Sequence, residues 1–359
     1  MHIKKKIAII SHSLGRGGAE RFAALLSFIL SDLGYEIHNI VINENVDYEY
    51  SGTMYNLGEI CKTDNRILRP LRKGLLLKKY LAKLNIGTVI DNRSRNIFLR
   101  EWFAKKTFGN AKRIYVVHNY NIKDYLPESV FLARLLYADA EKLVCVSKAI
   151  ESLIKQKYGL QNTITIYNPA EFPQISPVIT TGLPEKYLLF FGRLEEKSKN
   201  FSLMLEAFAL SKVFEKGYKL VIMGDGPDKE SIQDKIKELQ LEAYTQLIPY
   251  QKNPFAYVSK ARFTILTSRY EGFPMSIIES LALQTPVVAV DCTSGPSEII
   301  QNKKNGLLVP NYNPTALANA ISLLAEDQIL YDICKSNAVK SIGHLSVQNI
   351  SAQWKQILQ

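Results

Sequence analysis

Cysteine is scarce and scattered in this sequence. The four present in 359 residues, Cys61, Cys145, Cys292 and Cys334, form no CxxC pair and show no metal-ligand spacing. That excludes a disulfide framework or a zinc module and leaves free thiols in a reducing compartment as the expectation. Long hydrophobic runs are missing too. A membrane-spanning helix needs roughly 20 apolar residues, and the longest candidate, at 22–30, already contains Ser27. The opening MHIKKKIAII imitates the charged start of a signal peptide, but its apolar run ends at Ser11 and His12. It is therefore short of the ~7–15 residues of a signal core, and a cytoplasmic protein is expected, at most peripheral on the inner face of the cytoplasmic membrane. No segment repeats at a fixed period, which excludes a solenoid. No DxD pair of acids occurs, and there is no helix-turn-helix, zinc-finger or aromatic RNA-platform signature.

What is present is an ordinary globular composition, 47% hydrophobic and 22% charged, with an uneven charge. Up to residue 171 there are 26 Lys and Arg against 16 Asp and Glu; beyond it there are 19 against 18. The first half therefore holds nearly all of the net +11. A basic half-molecule suits an anionic partner such as phosphorylated lipid, an anionic membrane surface or nucleic acid.

Short β-branched runs alternate with amphipathic helical stretches, a pattern that predicts parallel sheets covered by helices. KIAIIS at 6–11 reads as a buried first strand, followed by the loop Gly15-Arg16-Gly17-Gly18 and a helix over 19–33. Further strands are predicted at 35–42, 88–91, 113–118 and 142–147. A segment at 168–184, with Pro169, Pro173, Pro177 and Pro184, reads as an interdomain linker. A second series of strands then follows, at 187–191, 219–223, 245–249, 262–267, 286–290 and 306–309. Two doubly wound domains are expected to meet at a cleft between the carboxyl ends of their sheets.

The most specific text is RYEGFPMSIIE at 269–279. Pro274 is suited to the first position of a helix, so Gly272, Phe273, Pro274, Met275 and Ser276 surround a helix N-terminus whose free N–H groups can hold a diphosphate. Glu271 lies beside that anion site and Glu279 about a turn and a half into the helix. Two carboxylates near a phosphate site make electrostatic sense when they bind hydroxyls, one on a sugar and one on a ribose. Read alone, both acids also suit a solvated helix start.

These residues resemble the family-4 retaining glycosyltransferases of the GT-B fold, whose hallmark is two glutamates separated by seven residues, matched here by Glu271 and Glu279. Gly192-Arg193-Leu194 with Lys199-Asn200 is similar to the family's GRL and KN segment. There, the resemblance implies, Arg193 and Lys199 neutralise the donor diphosphate in place of a metal ion. Lys197 is an alternative to Lys199. Gly224-Asp225-Gly226-Pro227 resembles the family's glycine turn, and Asn305-Gly306-Leu307-Leu308-Val309 its NG-x-LV strand. Ser294-Gly295-Pro296-Ser297-Glu298 replaces the commoner Gly-Gly-x-x-Glu loop. Gly17 and Gly18, in GRGGAE, match the loop that approaches the diphosphate from the acceptor domain. His118, before Asn119, matches a histidine near the transferred sugar; a satisfied core histidine is the plain alternative.

The resemblance implies a GT-B architecture of two Rossmann-like α/β domains. These would be an acceptor-binding domain over 1–170 and a nucleotide-sugar-binding domain over 171–359, with the last helix, about 343–359, packing back on the first. The implied activity is retaining transfer of an N-acetylhexosamine or hexose from a nucleotide diphosphate, UDP before GDP, to a lipid-linked or oligosaccharide acceptor of bacterial envelope glycan synthesis. Catalytic roles fall to His118, Glu271, Arg193 and Lys199. Donor contacts fall to Gly17, Gly18, Gly192, Arg193, Lys199, Gly224, the 272–276 cradle and Glu279. Neither a metal nor any other cofactor is expected, and no nucleic acid. An epimerase or phosphorylase of the same fold, a non-catalytic relative and a basic nucleic-acid binder are the competing readings.

Two basic features remain. Residues 66–84 interleave Arg and Lys with a stripe of Leu75, Leu76, Leu77, Leu81 and Leu84. This is either one helix with a solvated basic face or a helix that docks on anionic lipid. Arg93, Arg95 and Arg100 follow a predicted strand and are candidates to grip an acceptor diphosphate.

Overall fold

The computed structural model describes residues 4–15, 17–171 and 182–359. Arg16 of the GRGGAE loop and most of the proline-bearing linker, 172–181, lie outside the described residues. The chain divides into two units, Met1–Pro169 with Val347–Gln359, and Ala170–Ser346.

The first unit is a parallel sheet of seven strands: β1 (Lys6–Ser11), β2 (Glu36–Val41), β3 (Thr53–Asn56), β4 (Thr88–Asp91), β5 (Lys112–Val117), β6 (Lys142–Cys145) and β7 (Thr163–Thr165). Their order is β3-β2-β1-β4-β5-β6-β7. β1 is buried from Ile7 to Ser11 because helices cover both faces, which is why it reads as a continuous apolar run. The helix Gly18–Asp32 crosses over from β1 and buries Phe22, Leu26, Ile29 and Leu30 at helical spacing.

The closing helix, Val347–Leu358, belongs to this unit. It buries Ile350, Trp354, Ile357 and Leu358 along one stripe, and the Trp354 ring lies 6.3 Å from Phe22. Trp354 is fully buried, and truncating such a side chain costs about 3–5 kcal/mol.

The second unit is a parallel sheet of six strands: β8 (Tyr187–Phe191), β9 (Lys219–Met223), β10 (Thr245–Ile248), β11 (Phe263–Leu266), β12 (Val287–Asp291) and β13 (Gly306–Pro310). They run in the order β10-β9-β8-β11-β12-β13. The helix Phe201–Ser211 covers this sheet together with Pro314–Glu326, and Phe190 meets Phe201 edge-on at 4.7 Å in the core. Both sheets reverse their winding once, between β1 and β4 and between β8 and β11. In open α/β sheets ligands bind outside the carboxyl ends of the strands at such a reversal.

All four cysteines are free and buried, and burial raises the thiol pKa of Cys145 and Cys292. No helix among the described residues is long and apolar enough to cross a membrane. The leucine stripe differs from the one read in the sequence. In the helix Arg69–Lys83 the core takes Leu77 and Leu81, whereas Leu75 is exposed, as are Leu71, Leu68 and Ile67. The helix leans on its unit with one narrow seam, so Leu71 and Leu75 face outward while Leu76 is half-buried.

Candidate active site

At the reversal of the second sheet, two loops are clamped together. After β8 the chain forms a short helix, Glu196–Lys199, that ends on Asn200 with φ 56°. Asparagine tolerates this left-handed conformation better than most residues, and it turns the chain straight into the helix Phe201–Ser211. Lys199 therefore sits at a corner, and the loop after β11 holds it there. Thr267 Oγ1 donates to the Lys199 carbonyl at 2.8 Å, Arg269 N donates to the Ser198 carbonyl at 2.9 Å, and the Arg269 guanidinium reaches Glu196 Oε1 at 3.2 Å.

Lys199 Nζ then lies 2.5 Å from Glu271 Oε1, which also accepts from Ser268 Oγ at 2.6 Å. The Lys199 and Glu271 side chains are only 22% and 12% exposed. In this partly desolvated setting the ammonium and carboxylate interact more strongly than a surface pair would. The pair joins residues 72 positions apart.

Pro274 differs slightly from expectation. With ψ 111° it is the residue before the helix, and Met275–Ala282 is the helix itself. Gly272, Phe273 and Pro274 are buried, while Met275 and Ser276 at the helix start are partly exposed. Glu279 is buried in the helix at 7% exposure.

The unusual Ser-Gly-Pro loop braces this turn. Ser294 Oγ donates to the Gly272 carbonyl at 2.9 Å, and Tyr270 bridges Thr293. Gly295 has φ 99°, and a Cβ there would fall 2.6 Å from Pro274 Cδ, so glycine is required by both conformation and space.

Arg193 is open by contrast, 70% exposed with its nearest carboxylate, Glu195, at 3.9 Å. Gly192 and Gly224 are explained without a ligand. The two turns lie back to back, Gly192 N donating to the Met223 carbonyl at 3.0 Å, and a Cβ on Gly224 would fall 1.8 Å from the Gly192 carbonyl oxygen.

At the reversal of the first sheet, Gly17 precedes the helix and Gly18 begins it. The Glu20 carboxylate folds back over Gly17, where a Cβ would meet Oε2 at 2.2 Å. A pocket of about 150 Å³ opens there, lined by Ser11, His12, Ala19, Glu20, Asn92, Ser94 and Tyr125. His118 follows β5, its Nε2 3.1 Å from Asn92 Oδ1 and its ring edge-on to Phe22 at 4.9 Å. Burial, helped by the nearby Arg95 charge, lowers its pKa to about 3. It is thus a neutral hydrogen-bonding group. A histidine NMR titration is expected to show His118 uncharged throughout pH 5–8.

His12, Asn92, Ser94, Ser268 and Thr267 escaped the sequence reading. For the first three, the available signal was their place just after β1 and β4, where the winding reverses.

Arg93 and Arg95 are corrected by the structure. Arg93 is buried and donates to both Asp91 oxygens, at 2.9 and 2.7 Å, and to Glu101 at 3.1 Å. Arg95 is 1% exposed. It donates to the carbonyls of Asp91, Arg93 and Val116 and lies 5.1 to 5.9 Å from the ring centres of Tyr115, Tyr125 and Tyr137. Both guanidiniums are committed internally and are not free to grip a diphosphate. Arg100 likewise turns onto Glu101 and the Ser94 carbonyl.

Residues 172–341 match the family described as glycosyl transferases group 1. Over 356 residues the chain is 33% identical to a Campylobacter jejuni protein, covering 93% of this chain and 94% of that one. That protein is N-acetylgalactosamine-N,N'-diacetylbacillosaminyl-diphospho-undecaprenol 4-alpha-N-acetylgalactosaminyltransferase.

The chain is a group 1 glycosyltransferase.

Solved structures agree on the GT-B fold of this transferase. A variant of Staphylococcus aureus TarM in complex with Fondaparinux, alpha-GlcNAc-glycerol and UDP superposes with a TM-score of 0.82 at 17% identity, over 99% of this chain and 100% of that one. Anabaena HepE in complex with UDP-glucose gives 0.78 at 17% identity, over 98% and 99%. Among the transferase's described residues no three His, Cys, Asp or Glu side chains gather as a metal site requires.

Proposed function

We propose that this glycosyltransferase moves an N-acetylhexosamine or hexose from a UDP-sugar, with retention, onto a lipid-linked acceptor of bacterial envelope glycan synthesis. The observation that carries the reading is the Lys199–Glu271 ion pair beside the start of the helix Met275–Ala282. It offers a cation and free N–H groups for a diphosphate, and a carboxylate for sugar hydroxyls. UDP is favoured by its presence with TarM and HepE, and the lipid-linked acceptor by the diphospho-undecaprenol in the name of the Campylobacter relative.

In the proposed step the acceptor O–H attacks the anomeric carbon on the face from which UDP leaves. The bond from that carbon to the β-phosphate oxygen breaks, and the acceptor proton passes to the departing phosphate. Lys199, Arg193 and the N–H groups of Met275 and Ser276 stabilise the growing negative charge as preorganised donors. Glu279 accepts from the ribose and Glu271 orients the transferred sugar. These donors fill the role of a divalent ion, so we assign metal-independent transfer.

The test is thermal stabilisation by UDP, GDP and ADP, followed by transfer from UDP-sugars to a short-chain prenyl diphosphate glycoside in EDTA. UDP at 100 times its dissociation constant adds about 2.7 kcal/mol, and Glu279→Ala is expected to weaken it about tenfold or more. Stabilisation by GDP alone overturns the base assignment. An EDTA loss restored by manganese overturns the metal-free mechanism.

We further assign an anionic membrane surface as partner of the basic first unit. Exposed Ile67, Leu68, Leu71 and Leu75 stand beside exposed Arg66, Lys78 and Lys79, a mixture suited to an interfacial helix. Leu71→Glu with Leu75→Glu is expected to cut sedimentation with phosphatidylglycerol vesicles by about tenfold or more, leaving UDP stabilisation intact. Unchanged sedimentation would place the membrane contact elsewhere.

A further inference from the structure

Resting on the donor reading above, we propose that Arg269 and Glu196 are a positioning pair for sugar transfer. They hold the Lys199 corner in register once the donor diphosphate has drawn the ammonium away from Glu271. Neither side chain touches the substrate in this assignment; both act through Lys199.

Two short segments face each other at the reversal of the second sheet, 196–199 after β8 and 269–271 after β11. Ion pairs of opposite sense join them at both ends. Glu196 Oε1 accepts from the Arg269 guanidinium at 3.2 Å, and Lys199 Nζ donates to Glu271 Oε1 at 2.5 Å. Between these pairs the Arg269 backbone N–H donates to the Ser198 carbonyl at 2.9 Å. The inner pair is the one that chemistry must open, because an ammonium engaged by Glu271 has to turn onto the arriving diphosphate. The corner then loses one of its two ionic anchors, and the outer pair remains.

The outer pair is tied into the unit on both sides. The second Glu196 oxygen accepts from Ser202 N at 3.2 Å, in the first turn of the helix Phe201–Ser211, and Glu196 N donates to Asp228 Oδ2 at 2.8 Å. The Arg269 guanidinium also lies 5.8 Å from the centre of the Tyr312 ring, within reach of a cation–π contact. Tyr312 stands in the turn after β13, where Asn311 Nδ2 donates to the Ser268 carbonyl at 3.4 Å. Arg269 thus links the turns after three strands. A planar guanidinium can meet a carboxylate and a ring together, which a compact ammonium does less well.

Stability does not account for this pair. Its side chains are 35% and 31% exposed, and ion pairs so placed contribute little to folding. The backbone bond to Ser198 survives truncation of the Arg269 side chain. Substitution therefore loosens the register of Lys199 and leaves the loop folded.

The experiment is steady-state transfer by the full chain with UDP-sugar as the varied substrate. The variants are Arg269→Ala, Arg269→Lys, Glu196→Gln and the double variant Arg269→Ala with Glu196→Gln. Glu196→Gln keeps an acceptor oxygen for the Ser202 N–H. Small displacements of a catalytic group are costly, so Arg269→Ala is expected to lower kcat by about tenfold or more. KM for UDP-sugar is expected to change by less than about threefold, because the phosphate charge that Lys199 meets grows as the bond breaks. The thermal midpoint should stay within about 3 °C of the parent. Arg269→Lys restores the charge and is expected to return kcat to within about threefold of the parent. The double variant should fall no further than Arg269→Ala, since one interaction is lost in both.

An Arg269→Ala kcat within about twofold of the parent overturns the proposal. So do losses that multiply in the double variant, or a fall in thermal midpoint above about 6 °C, which would make the role structural. UDP stabilisation of the parent separates the two readings. A parent that UDP does not stabilise removes the donor reading and this inference with it. A stabilised parent whose Arg269→Ala variant transfers normally removes this inference alone.

Discussion

Lys199→Ala is expected to lower kcat for sugar transfer by about a thousandfold, roughly 4 kcal/mol of transition-state stabilisation. The reason lies in what remains after the substitution. Lys199 Nζ and Ser268 Oγ together hold Glu271 Oε1. Without the ammonium, the carboxylate keeps a single hydroxyl donor in a largely buried place. A departing diphosphate then loses a cation and meets an uncompensated anion. Glu271→Gln makes the opposite change, freeing the ammonium while removing the charged acceptor for sugar hydroxyls.

UDP affinity is therefore expected to fall in the lysine variant and to hold or improve in the glutamine variant, although transfer falls in both. Because the groups are in contact, the effects will not add, and the double variant should lose less than the sum. Calorimetry with UDP and steady-state transfer separate the two terms. A Lys199→Ala enzyme within fivefold of the parent kcat would remove Lys199 from the mechanism.

Why the Glu271–Glu279 string could be read while its pairing could not is a matter of distance along the chain. The string carries its own context, since Pro274 and the apolar MSII mark a helix start. The partner of Glu271 lies 72 residues earlier, and no local pattern joins them. Strands behaved the same way. β1, β4, β8 and β9 were legible to the residue because parallel strands covered on both faces are continuous apolar runs. β3 and β7 were missed; they are four- and three-residue edge strands, TMYN and TIT, and only Thr163 among their residues is buried.

Arg93 and Arg95 mislead for a related reason. The sequence shows two charges after a strand, a common setting for ligand contact. It does not show that Asp91 and Glu101 fold over one of them and that three carbonyls and three tyrosines enclose the other. The leucines of the 69–83 helix divide by the angle at which the helix leans on its unit, and that angle is set by packing outside the helix.

Asp91→Asn is expected to destabilise the first unit by about 3–5 kcal/mol, the cost of breaking a buried ion pair from one side. That is a large share of the 5–15 kcal/mol that holds a typical domain together. Asp91 is fully buried at the end of β4. Burial alone would raise its pKa, but the charge and hydrogen bonds of Arg93, with Arg95 behind, outweigh burial and hold it below the ordinary carboxylate range. The sign of the pH dependence follows. A depressed folded-state pKa gives stability that is complete above the unfolded value, about 3.9, and is lost as pH falls through the lowered folded value. Denaturant midpoints of parent and variant should therefore differ by a constant amount from pH 8 down to about 5 and converge only below about 4. A gap that already closes between pH 8 and 6 would mean that Asp91 is not the paired anion described here. The same substitution reaches the pocket at the first-sheet reversal. Asn92 and Ser94 flank Arg93, and the Asp91 carboxylate also accepts from the Arg93 backbone N–H at 3.0 Å. Loosening that turn is expected to shift Asn92 and Ser94, which line that pocket.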